Sequence, residues 1–256
     1  MSTQKEKAQV FHSLHKAGDP LVLFNVWDAG SAKAVDTAGA QAIATGSWSV
    51  AAANGFADGE HVPFDFALAN LRRIVAATPL PVTIDLESGY GRTPDDVART
   101  VAAAIEAGAV GCNLEDSFPE TGKLRDTSDQ VERLARARKI AGDMGVAFFI
   151  NARTDVFFQG PPTAHDEDMV AEALVRARAY AAAGADGLFV PGLADEALIA
   201  SVVKSSPLPV NIMAGPGTPS LARLAELGVA RVSHGPGPYI AAMASLQRDA
   251  AAAQVR

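Results

Sequence analysis

The sequence predicts a (β/α)8 barrel, an α/β fold in which eight parallel strands alternate with helices. Eight short apolar segments recur along the 256 residues, and Ala-rich segments with helical spacing of apolar positions lie between them. The strand candidates are apolar without alternation, which is typical of parallel strands buried on both faces. Eight evenly spaced units fit a barrel better than the alternative, a doubly wound open sheet. We expect one domain over residues 1–256.

The eight predicted strands follow one another at regular intervals. They are LVLFNVWD (21–28), AIATGS (42–47), VTIDLES (82–88), GCNLEDS (111–117), FFINARTD (148–155), GLFVPG (187–192), VNIMAG (210–215) and RVSHGP (231–236). Each begins apolar and ends in polar residues or glycine, as expected where a buried strand emerges at the surface.

The segments between the strands carry helix start and stop signals. Residues 93–96, Thr-Pro-Asp-Asp, provide an N-cap, a proline in the first turn and acidic side chains beside the helix N-terminus. Glycines stand where helices are expected to end, at Gly39, Gly108, Gly184 and Gly228. The last predicted helix, 238–256, is Ala-rich with an apolar stripe.

Composition restricts the class of protein. The net charge is −7 and no basic cluster occurs, so nucleic acids and anionic membranes are poor partners. A single cysteine, Cys112, excludes an internal disulfide and a cysteine-based zinc site. The N-terminus shows no secretory h-region and no apolar stretch is long enough to span a bilayer, so we expect a cytoplasmic protein.

Polar side chains concentrate at the predicted C-terminal strand ends, where barrels carry their chemistry. Carboxylates come from strand 3, from strand 4 and, through Asp28, from strand 1, and strand 5 adds Arg153. Several acids around one barrel mouth repel each other, and an oxygen-only ligand set favours Mg²⁺ or Mn²⁺. The alternative is that Arg153 pairs with one acid and solvent surrounds the others.

Five motifs carry a resemblance to a known family. They are NVWDAGSA (25–32), TGSWSVAAANGFADGE (45–60), DLESGYG (85–91), GCNLEDS (111–117) and NARTD (151–155). In this order they resemble the isocitrate lyase/phosphoenolpyruvate mutase superfamily, over roughly residues 18 to 240, and most closely its short members. The resemblance implies an Mg²⁺-dependent barrel that acts on small 2-oxo acids or their enolates, with Mn²⁺ as a substitute ion.

The resemblance also implies roles for individual residues. Asp85 matches the direct metal ligand, Glu87 and Glu115 match acids that hold the ion largely through water, and Asp58 matches a nearby loop acid. Glu87 stands where many members have Asp. The residues matched to substrate binding are Gly46, Ser47, Trp48, Asp85, Asn113, Arg153 and Asn211. Among them, the backbone amides of Ser47 and Trp48 match groups that bind the substrate carboxylate, and Arg153 matches an arginine that binds the anionic end of the substrate.

The segment 116–130, which we call the gate, departs from the characterised members. It has no cysteine or histidine, unlike the lyases, and it has Glu120 and Gly122 where the phosphonate enzymes have Lys and Asn. Lys123 and Arg125 are predicted to cap an anionic substrate when the gate closes, or else to be solvated. Outside the gate, Tyr90 is predicted to position a proton donor, or else to pack.

These observations favour an Mg²⁺-dependent enzyme that cleaves a C–C bond of a small 2-oxo or 2-hydroxy di- or tricarboxylate through an enolate-like intermediate. Such an enzyme would be a lyase or an oxaloacetate hydrolase or decarboxylase. The alternatives are P–C cleavage or mutase activity on phosphonopyruvate or phosphoenolpyruvate, and a non-catalytic barrel that binds a 2-oxo acid. The resemblance further implies exchange of the C-terminal helix between subunits, and therefore a homodimer or homotetramer.

Overall fold

The computed structural model describes residues 2–254 and confirms the barrel. Its eight parallel strands are β1 (Leu21–Leu23), β2 (Ile43–Ala44), β3 (Val82–Asp85), β4 (Gly111–Glu115), β5 (Phe149–Arg153), β6 (Gly187–Phe189), β7 (Val210–Met213) and β8 (Arg231–Ser233). They pair in the order β1-β8-β7-β6-β5-β4-β3-β2. A parallel bridge between Val26 and Thr45 joins β1 to β2, so the sheet closes into a barrel.

Each strand is shorter than the segment predicted for it. β1 ends at Leu23 rather than at residue 28, and β3 ends at Asp85 rather than at residue 88. The residues that follow leave the sheet and form the rim of the barrel. The side chains at the rim are therefore held by loops and hydrogen bonds rather than by strand pairing alone.

Ten helices surround the barrel in the part of the chain that the structure describes. They are α1 (Gln4–Ser13), α2 (Ala29–Thr37), α3 (Ser47–Ala53), α4 (Phe64–Ala77), α5 (Pro94–Glu106), α6 (Thr127–Asp143), α7 (Glu167–Ala182), α8 (Glu196–Ser205), α9 (Leu221–Glu226) and α10 (Gly237–Gln254), with short 3-10 helices at Val156–Phe158 and Pro162–Ala164. Thr93 caps α5 in a capping box with Asp96, as its sequence predicts.

Asp28 caps a helix and does not join the acids at the barrel mouth, so its predicted place there is wrong. Its carboxylate accepts hydrogen bonds from the backbone N–H of Ser31 (2.7 Å) and from the Ser31 hydroxyl (2.8 Å) at the start of α2. An acid in this position satisfies a free N–H of the first turn and interacts favourably with the helix dipole.

The opposite end of the barrel is closed by aromatic packing. Phe11 of α1 is fully buried and meets the ring of Phe149 edge to face, with ring centroids 5.5 Å apart. Gly111 lies beside both rings, where a Cβ would come within 2.8 Å of the Phe149 carbonyl oxygen. Substrates therefore reach the interior from the C-terminal strand ends.

The C-terminal helix α10 lies mostly on the surface, and Pro238 is its buried residue. The last two residues of the predicted helix, 255–256, lie outside the described residues. Exchange of this helix between subunits stays a prediction. A search of residues 2–254 finds no helix with the length and hydrophobicity of a bilayer span.

Candidate active site

A cavity of about 190 Å³ opens at the C-terminal ends of the strands, and all eight strands or the loops after them contribute to its walls. Its lining residues are Asn25, Gly46, Ser47, Trp48, Asp58, Asp85, Asn113, Arg153, Phe158, Phe189, Pro191, Met213, Ser233, Gly235 and Pro236. Seven of them are residues that the sequence resemblance assigns to the site. The fold therefore brings together side chains that are separated by up to about a hundred positions in the sequence.

Asp85, the last residue of β3, has one satisfied and one unsatisfied carboxylate oxygen. Its Oδ2 accepts hydrogen bonds from the Ser47 hydroxyl (2.9 Å) and the Ser47 backbone N–H (3.3 Å). Its Oδ1 is buried and has no hydrogen-bond partner among residues 2–254. A buried carboxylate oxygen without a partner is costly, and a bound cation is a partner that removes this cost. Asp85 is thus the side chain best suited to a direct metal bond.

Glu87 follows β3 in a left-handed backbone conformation, with φ of 51°. Its Oε2 accepts from the backbone N–H groups of Gly59 (2.9 Å) and Glu60 (2.7 Å), and its Oε1 accepts from the Tyr90 hydroxyl at 3.1 Å. Burial and the nearby charge of Asp85 raise the pKa of Glu87 to about 7. Glu87 therefore fixes the loop that carries Asp58 and stands next to the cavity rather than in its wall.

Arg133 of α6 stabilises the loop that follows β3. This arginine is fully buried, and its guanidinium donates hydrogen bonds to the carbonyl oxygens of Ser88 and Gly91. Tyr90, in the same loop, reaches Glu87 and does not line the main cavity. The geometry makes Tyr90 a residue that positions Glu87, while its predicted link to a proton donor stays a prediction.

Arg153, at the end of β5, lies between two carboxylates. Its Nη1 is 2.8 Å from Glu115 Oε2, and its Nε and Nη2 donate to Asp155 at 2.6 Å and 3.0 Å. Burial raises the pKa of Glu115, although Arg153 acts in the opposite direction. Three of the five guanidinium N–H groups are thus engaged, which leaves two for a ligand. The expected ion pair exists, but it includes two acids, and Asp85 is not one of them.

The two backbone amides that are predicted to bind a substrate carboxylate, those of Ser47 and Trp48, lie at the start of α3. Ser47 and Trp48 both line the cavity, and the Ser47 N–H already points at Asp85. The Trp48 side chain is exposed and its ring meets Tyr239 edge to face, at 6.0 Å between centroids. The role of these amides in substrate binding stays a prediction.

A layer of polar side chains forms the floor of the cavity. Asn113 lines the cavity, and its Oδ1 accepts from Asn151 Nδ2 (2.9 Å) and from Arg231 Nη2 (3.1 Å). Asn211 lies in the buried interior, where its Nδ2 donates to the Ser233 hydroxyl at 3.1 Å. Asn113 can therefore touch a ligand directly, whereas Asn211 does not line the cavity and contacts Ser233, which does.

The gate contributes no cation to the cavity wall among residues 2–254. Lys123 is exposed and does not line the cavity. Arg125 is buried, with its guanidinium carbon 4.1 Å from the Phe118 ring centroid and Nη1 3.1 Å from Asp129. The role predicted for Lys123 thus depends on a movement of the gate.

Several residues that line the cavity were not predicted from the sequence. Asn25 is one: its Oδ1 accepts from the backbone N–H of His234 (3.0 Å) and Gly235 (2.9 Å), which joins the ends of β1 and β8. The apolar lining residues are Phe158, Phe189, Pro191, Met213 and Pro236. An asparagine directly after an apolar strand was an available signal, but the apolar residues look like any buried strand or loop.

The acidic residues in and beside the cavity are suited to a metal ion that one protein side chain coordinates directly. Within the described ranges, no three His, Cys, Asp or Glu side chains are close enough together to bind one ion between them. Asp85 offers a free, buried oxygen, and Glu87 and Glu115 are buried acids nearby whose pKa values burial raises. An oxygen-only set of this kind, completed by water, is what Mg²⁺ prefers.

Comparison with known proteins adds an independent finding. The model of the phosphoenolpyruvate phosphomutase family matches residues 11–254. An uncharacterized protein of Mycobacterium tuberculosis is 38% identical over 236 residues, which cover 91% of this chain and 84% of that protein. A 2-methylisocitrate lyase of Salmonella typhimurium is 32% identical over 192 residues, covering 71% of this chain and 61% of the lyase.

Solved structures agree with these matches. A "putative phosphonomutase" from Burkholderia cenocepacia has 61% sequence identity and a TM-score of 0.94, with 96% of this chain and 98% of that chain covered. A phosphonopyruvate hydrolase in complex with oxalate and Mg²⁺ has 22% identity and a TM-score of 0.81, with 94% and 84% covered, and shows the same fold.

Proposed function

This chain belongs to the phosphoenolpyruvate phosphomutase family, within the isocitrate lyase/phosphoenolpyruvate mutase superfamily, and on that premise we propose that it is an Mg²⁺-dependent enzyme. The reaction we propose is cleavage of a C–C bond of a small 2-oxo or 2-hydroxy acid, in which the bonding electrons enter an enolate and the other fragment leaves as CO2 or as a carbonyl compound. The observation that carries this proposal is Asp85, which lines the same cavity as Arg153 and whose buried Oδ1 has no partner among residues 2–254.

The proposed metal site consists of Asp85 as direct ligand, with Glu87 and Glu115 acting through water and Asp58 at the rim. When bound, Mg²⁺ would supply positive charge that stabilises an enolate oxygen, formed when a C–C bond on the carbon next to the carbonyl breaks. Mn²⁺ would serve in the same way because it prefers the same oxygen ligands. The phosphonopyruvate hydrolase structure with oxalate and Mg²⁺ supports this choice by analogy of fold.

The chain's own residues bind and orient the substrate head. Ser47 holds Asp85 in place through two hydrogen bonds to Oδ2, which leaves Oδ1 without a partner among residues 2–254. Arg153 keeps two N–H groups for a carboxylate or keto oxygen, and its position is fixed by Glu115 and Asp155. Because these groups are set before the substrate arrives, they need little rearrangement as negative charge develops.

The test is binding of oxalate, a mimic of a 2-oxo acid enolate, measured by calorimetry with and without Mg²⁺. We expect binding to require Mg²⁺ and to be lost in Asp85→Asn, which keeps the size of the side chain and removes its charge. The matched control is Asp143→Asn, which changes an exposed acid paired with Lys139. Mg²⁺-independent binding, or full binding by Asp85→Asn, would contradict the proposal.

A screen of 2-oxo and 2-hydroxy acids with Mg²⁺ then separates the possible reactions. Formation of pyruvate or glyoxylate supports C–C cleavage. Release of phosphate from phosphonopyruvate would instead identify P–C cleavage, which the name of the Burkholderia protein suggests and which Glu120 and Gly122 in the gate disfavour. Tight oxalate binding without turnover of any acid would identify a binding protein.

A further inference from the structure

We infer that the hydroxyl of Ser233 donates the proton that converts the enolate of the proposed reaction into product, and that Arg231 stabilises the alkoxide that remains. This inference rests on the proposed function and adds a catalytic residue to it. A proton donor is required because the enolate carbon keeps the electron pair of the broken C–C bond until a C–H bond forms there. The gate contains no cysteine or histidine, and in the described part of the chain it adds no residue to the cavity wall.

Most polar side chains of the cavity wall have other tasks or hold their hydrogens firmly. Asp85 is the proposed metal ligand, and the Ser47 hydroxyl donates to it at 2.9 Å. Although burial acts in the opposite direction, Glu115 and Asp155 raise the pKa of Arg153, which therefore keeps its protons. The side-chain amides in the wall are too weakly acidic to transfer a proton.

Asp58 and Ser233 are the other candidates in the wall, and they lie on different sides of the cavity. Burial and the charge of Asp85 raise the pKa of Asp58, which places Asp58 on the side of the metal site. Ser233 ends β8, and two strands separate β8 from β3 on one side and from β5 on the other. A substrate whose head lies between Asp85 and Arg153 therefore extends across the cavity of about 190 Å³ towards Ser233.

The hydrogen bonds of the Ser233 hydroxyl favour release of its hydrogen. Its Oγ accepts from Arg231 Nε (3.3 Å) and from Asn211 Nδ2 (3.1 Å), and these two donors occupy both lone pairs of the oxygen. The partner of its single hydrogen is Asn211 Oδ1 at 3.2 Å, a long distance for an O–H···O bond, which is usually about 2.7–2.8 Å. The hydrogen can therefore turn towards a substrate carbon at little cost.

Arg231 supplies the positive charge that an alkoxide at this position requires. Side chains alternate along a strand, so residues 231 and 233 of β8 both point into the barrel, and Arg231 is 1% exposed. Its Nη2 donates to Asn113 Oδ1 (3.1 Å), and its Nη1 has no partner among residues 2–254. Burial lowers the pKa of Arg231 to about 9, so the guanidinium is still charged at pH 7. Negative charge that forms on Ser233 reduces the cost of burying this cation.

The proton transfer balances with water as the only other reactant. The Oγ–H bond of Ser233 breaks and a C–H bond forms at the enolate carbon, which yields the 2-oxo acid product and leaves Ser233 as an alkoxide. After the product leaves, the alkoxide takes a proton from water, and a hydroxide ion remains in solution. Arg231 stays protonated throughout and acts through Ser233, so it is a positioning residue.

The test follows the reverse step, in which the enzyme removes a proton from C3 of pyruvate and returns deuterium from heavy water. Proton NMR measures this exchange on the full chain with saturating Mg²⁺. We expect wild type to catalyse the exchange and Ser233→Ala to slow it by about a hundredfold or more, the usual contribution of a general acid or base. The affinity of Ser233→Ala for oxalate should change by about threefold or less, because Ser233 lies across the cavity from the head site.

The matched control is Ser49→Ala. Ser49 is also fully buried, its hydroxyl has no partner among residues 2–254, and it does not line the cavity. Ser49→Ala therefore removes a buried hydroxyl without touching the proposed proton donor, and it should exchange pyruvate at the wild-type rate. If Ser233→Ala exchanges pyruvate as fast as Ser49→Ala, the inference is wrong.

Ser233→Cys gives a second measurement, which decides if Ser233→Ala does not fold. An ordinary thiol has a pKa of about 8.5, far below that of a hydroxyl. Exchange by Ser233→Cys should therefore rise with pH in step with the thiolate absorbance of the introduced side chain. Cys112 does not interfere, because burial raises the pKa of its thiol well above this range. An exchange profile identical to that of wild type would show that residue 233 carries no proton and would overturn the inference.

Arg231→Met in the Ser233→Cys background tests the role of the positive charge. The pKa of the introduced thiol should rise by about one or more, and it should rise less with Arg231→Lys. An unchanged pKa would remove Arg231 from the proposed step.

Oxalate binding separates this inference from the proposed function. If oxalate does not bind in the presence of Mg²⁺, the proposed function fails and the inference fails with it. If oxalate binds normally and wild type does not exchange pyruvate, the inference alone is overturned.

Discussion

The wall of the cavity has a charged half, formed by Ser47, Asp58, Asp85, Asn113 and Arg153, and an apolar half, formed by Phe158, Phe189, Pro191, Met213 and Pro236. The two halves stand on equivalent strand ends, yet their side chains are held in different ways. In the charged half each ionised group depends on a specific partner, as Arg153 does on Glu115 and Asp155. In the apolar half Phe189 is 5% exposed and is held by packing. A substitution in the charged half therefore leaves a partner unpaired, whereas one in the apolar half removes contacts and shape.

The largest effect is expected from Arg153→Met. It leaves Glu115 and Asp155 buried together without a cation, and loss of one partner from a buried ionic network costs about 3–5 kcal/mol of folding free energy. Oxalate binding should also be lost. Urea unfolding at pH 7 measures the first effect and calorimetry the second.

The matched control for Arg153→Met is Arg223→Met. Arg223 also pairs with two acids, Glu196 and Glu226, but all three side chains are at least 44% exposed. Exposed ion pairs contribute about 0–1 kcal/mol, so this variant should stay near wild-type stability. Similar losses in the two arginine variants would show that the charged half is not a buried network.

A smaller loss is expected from Phe189→Ala in the apolar half. Removal of a buried phenyl ring costs about 3 kcal/mol, towards the lower end for such changes because the ring already borders a cavity. The affinity for oxalate should change less than threefold, because this ring carries no charge and no hydrogen-bonding group. The exposed Phe24 offers a control, since Phe24→Ala should alter stability by about 0.5 kcal/mol or less. A loss of oxalate affinity as large as that of Arg153→Met would erase the distinction between the halves.

A third difference between the halves is their dependence on pH. Burial and Asp85 raise the pKa of Glu87 from its ordinary value near 4.5 to about 7, so the folded state holds this proton more tightly than the unfolded state. The stability contributed by Glu87 is complete below about pH 4.5 and is lost as the pH rises through 7. The total loss is on the order of 3 kcal/mol in metal-free protein.

Urea unfolding between pH 5 and 8 in a chelator checks this dependence. Glu87→Gln should flatten the decline because its amide does not ionise. Met213→Leu, a similar-sized change in the apolar half, should keep the wild-type slope. Identical slopes in wild type and Glu87→Gln would mean that Glu87 titrates normally in the folded state.

The two halves also differ in how well their residues could be predicted from the sequence. Asp85 and Arg153 stand out because a charged residue at the end of a buried strand is rare without a function. Phe189 and Met213 end strands β6 and β7 and look like any core residue, since whether an apolar side chain faces a cavity or a helix depends on barrel geometry. The eight strands were predicted for the converse reason, because burial on both faces leaves a clear apolar pattern.

The ion-pair and hydrogen-bond partners within the charged half could not be predicted from the sequence either. The sequence predicted that Arg153 either pairs with one acid or works beside a metal, and the structure pairs it with Glu115 and Asp155 while Asp85 bonds to Ser47. Asp28 appeared to belong to the same group and caps α2 instead. Distances between strand ends decide such pairings, and they follow from the closed barrel rather than from any one motif.

The smallest expected effect concerns Arg231, which lies beneath the boundary between the two halves. Burial lowers the pKa of Arg231 to about 9, and no carboxylate of residues 2–254 contacts its guanidinium. Because a buried, unpaired charge is replaced by hydrocarbon of similar length, Arg231→Met should change folding stability by about 1 kcal/mol or less. The cavity floor nevertheless loses a positive charge, so oxalate should bind about tenfold more weakly, equivalent to about 1.4 kcal/mol.

Arg231→Lys separates the charge from the packing in this prediction. It keeps the positive charge beneath Asn113, so it should recover most of the affinity for oxalate, while its effect on stability is measured by urea unfolding in parallel. Loss of stability without loss of affinity in Arg231→Met would make Arg231 a purely structural residue of the barrel interior. Loss of affinity that lysine restores would instead show that the charged half extends below the cavity floor, and that the head of the substrate is attracted by a cation it does not touch.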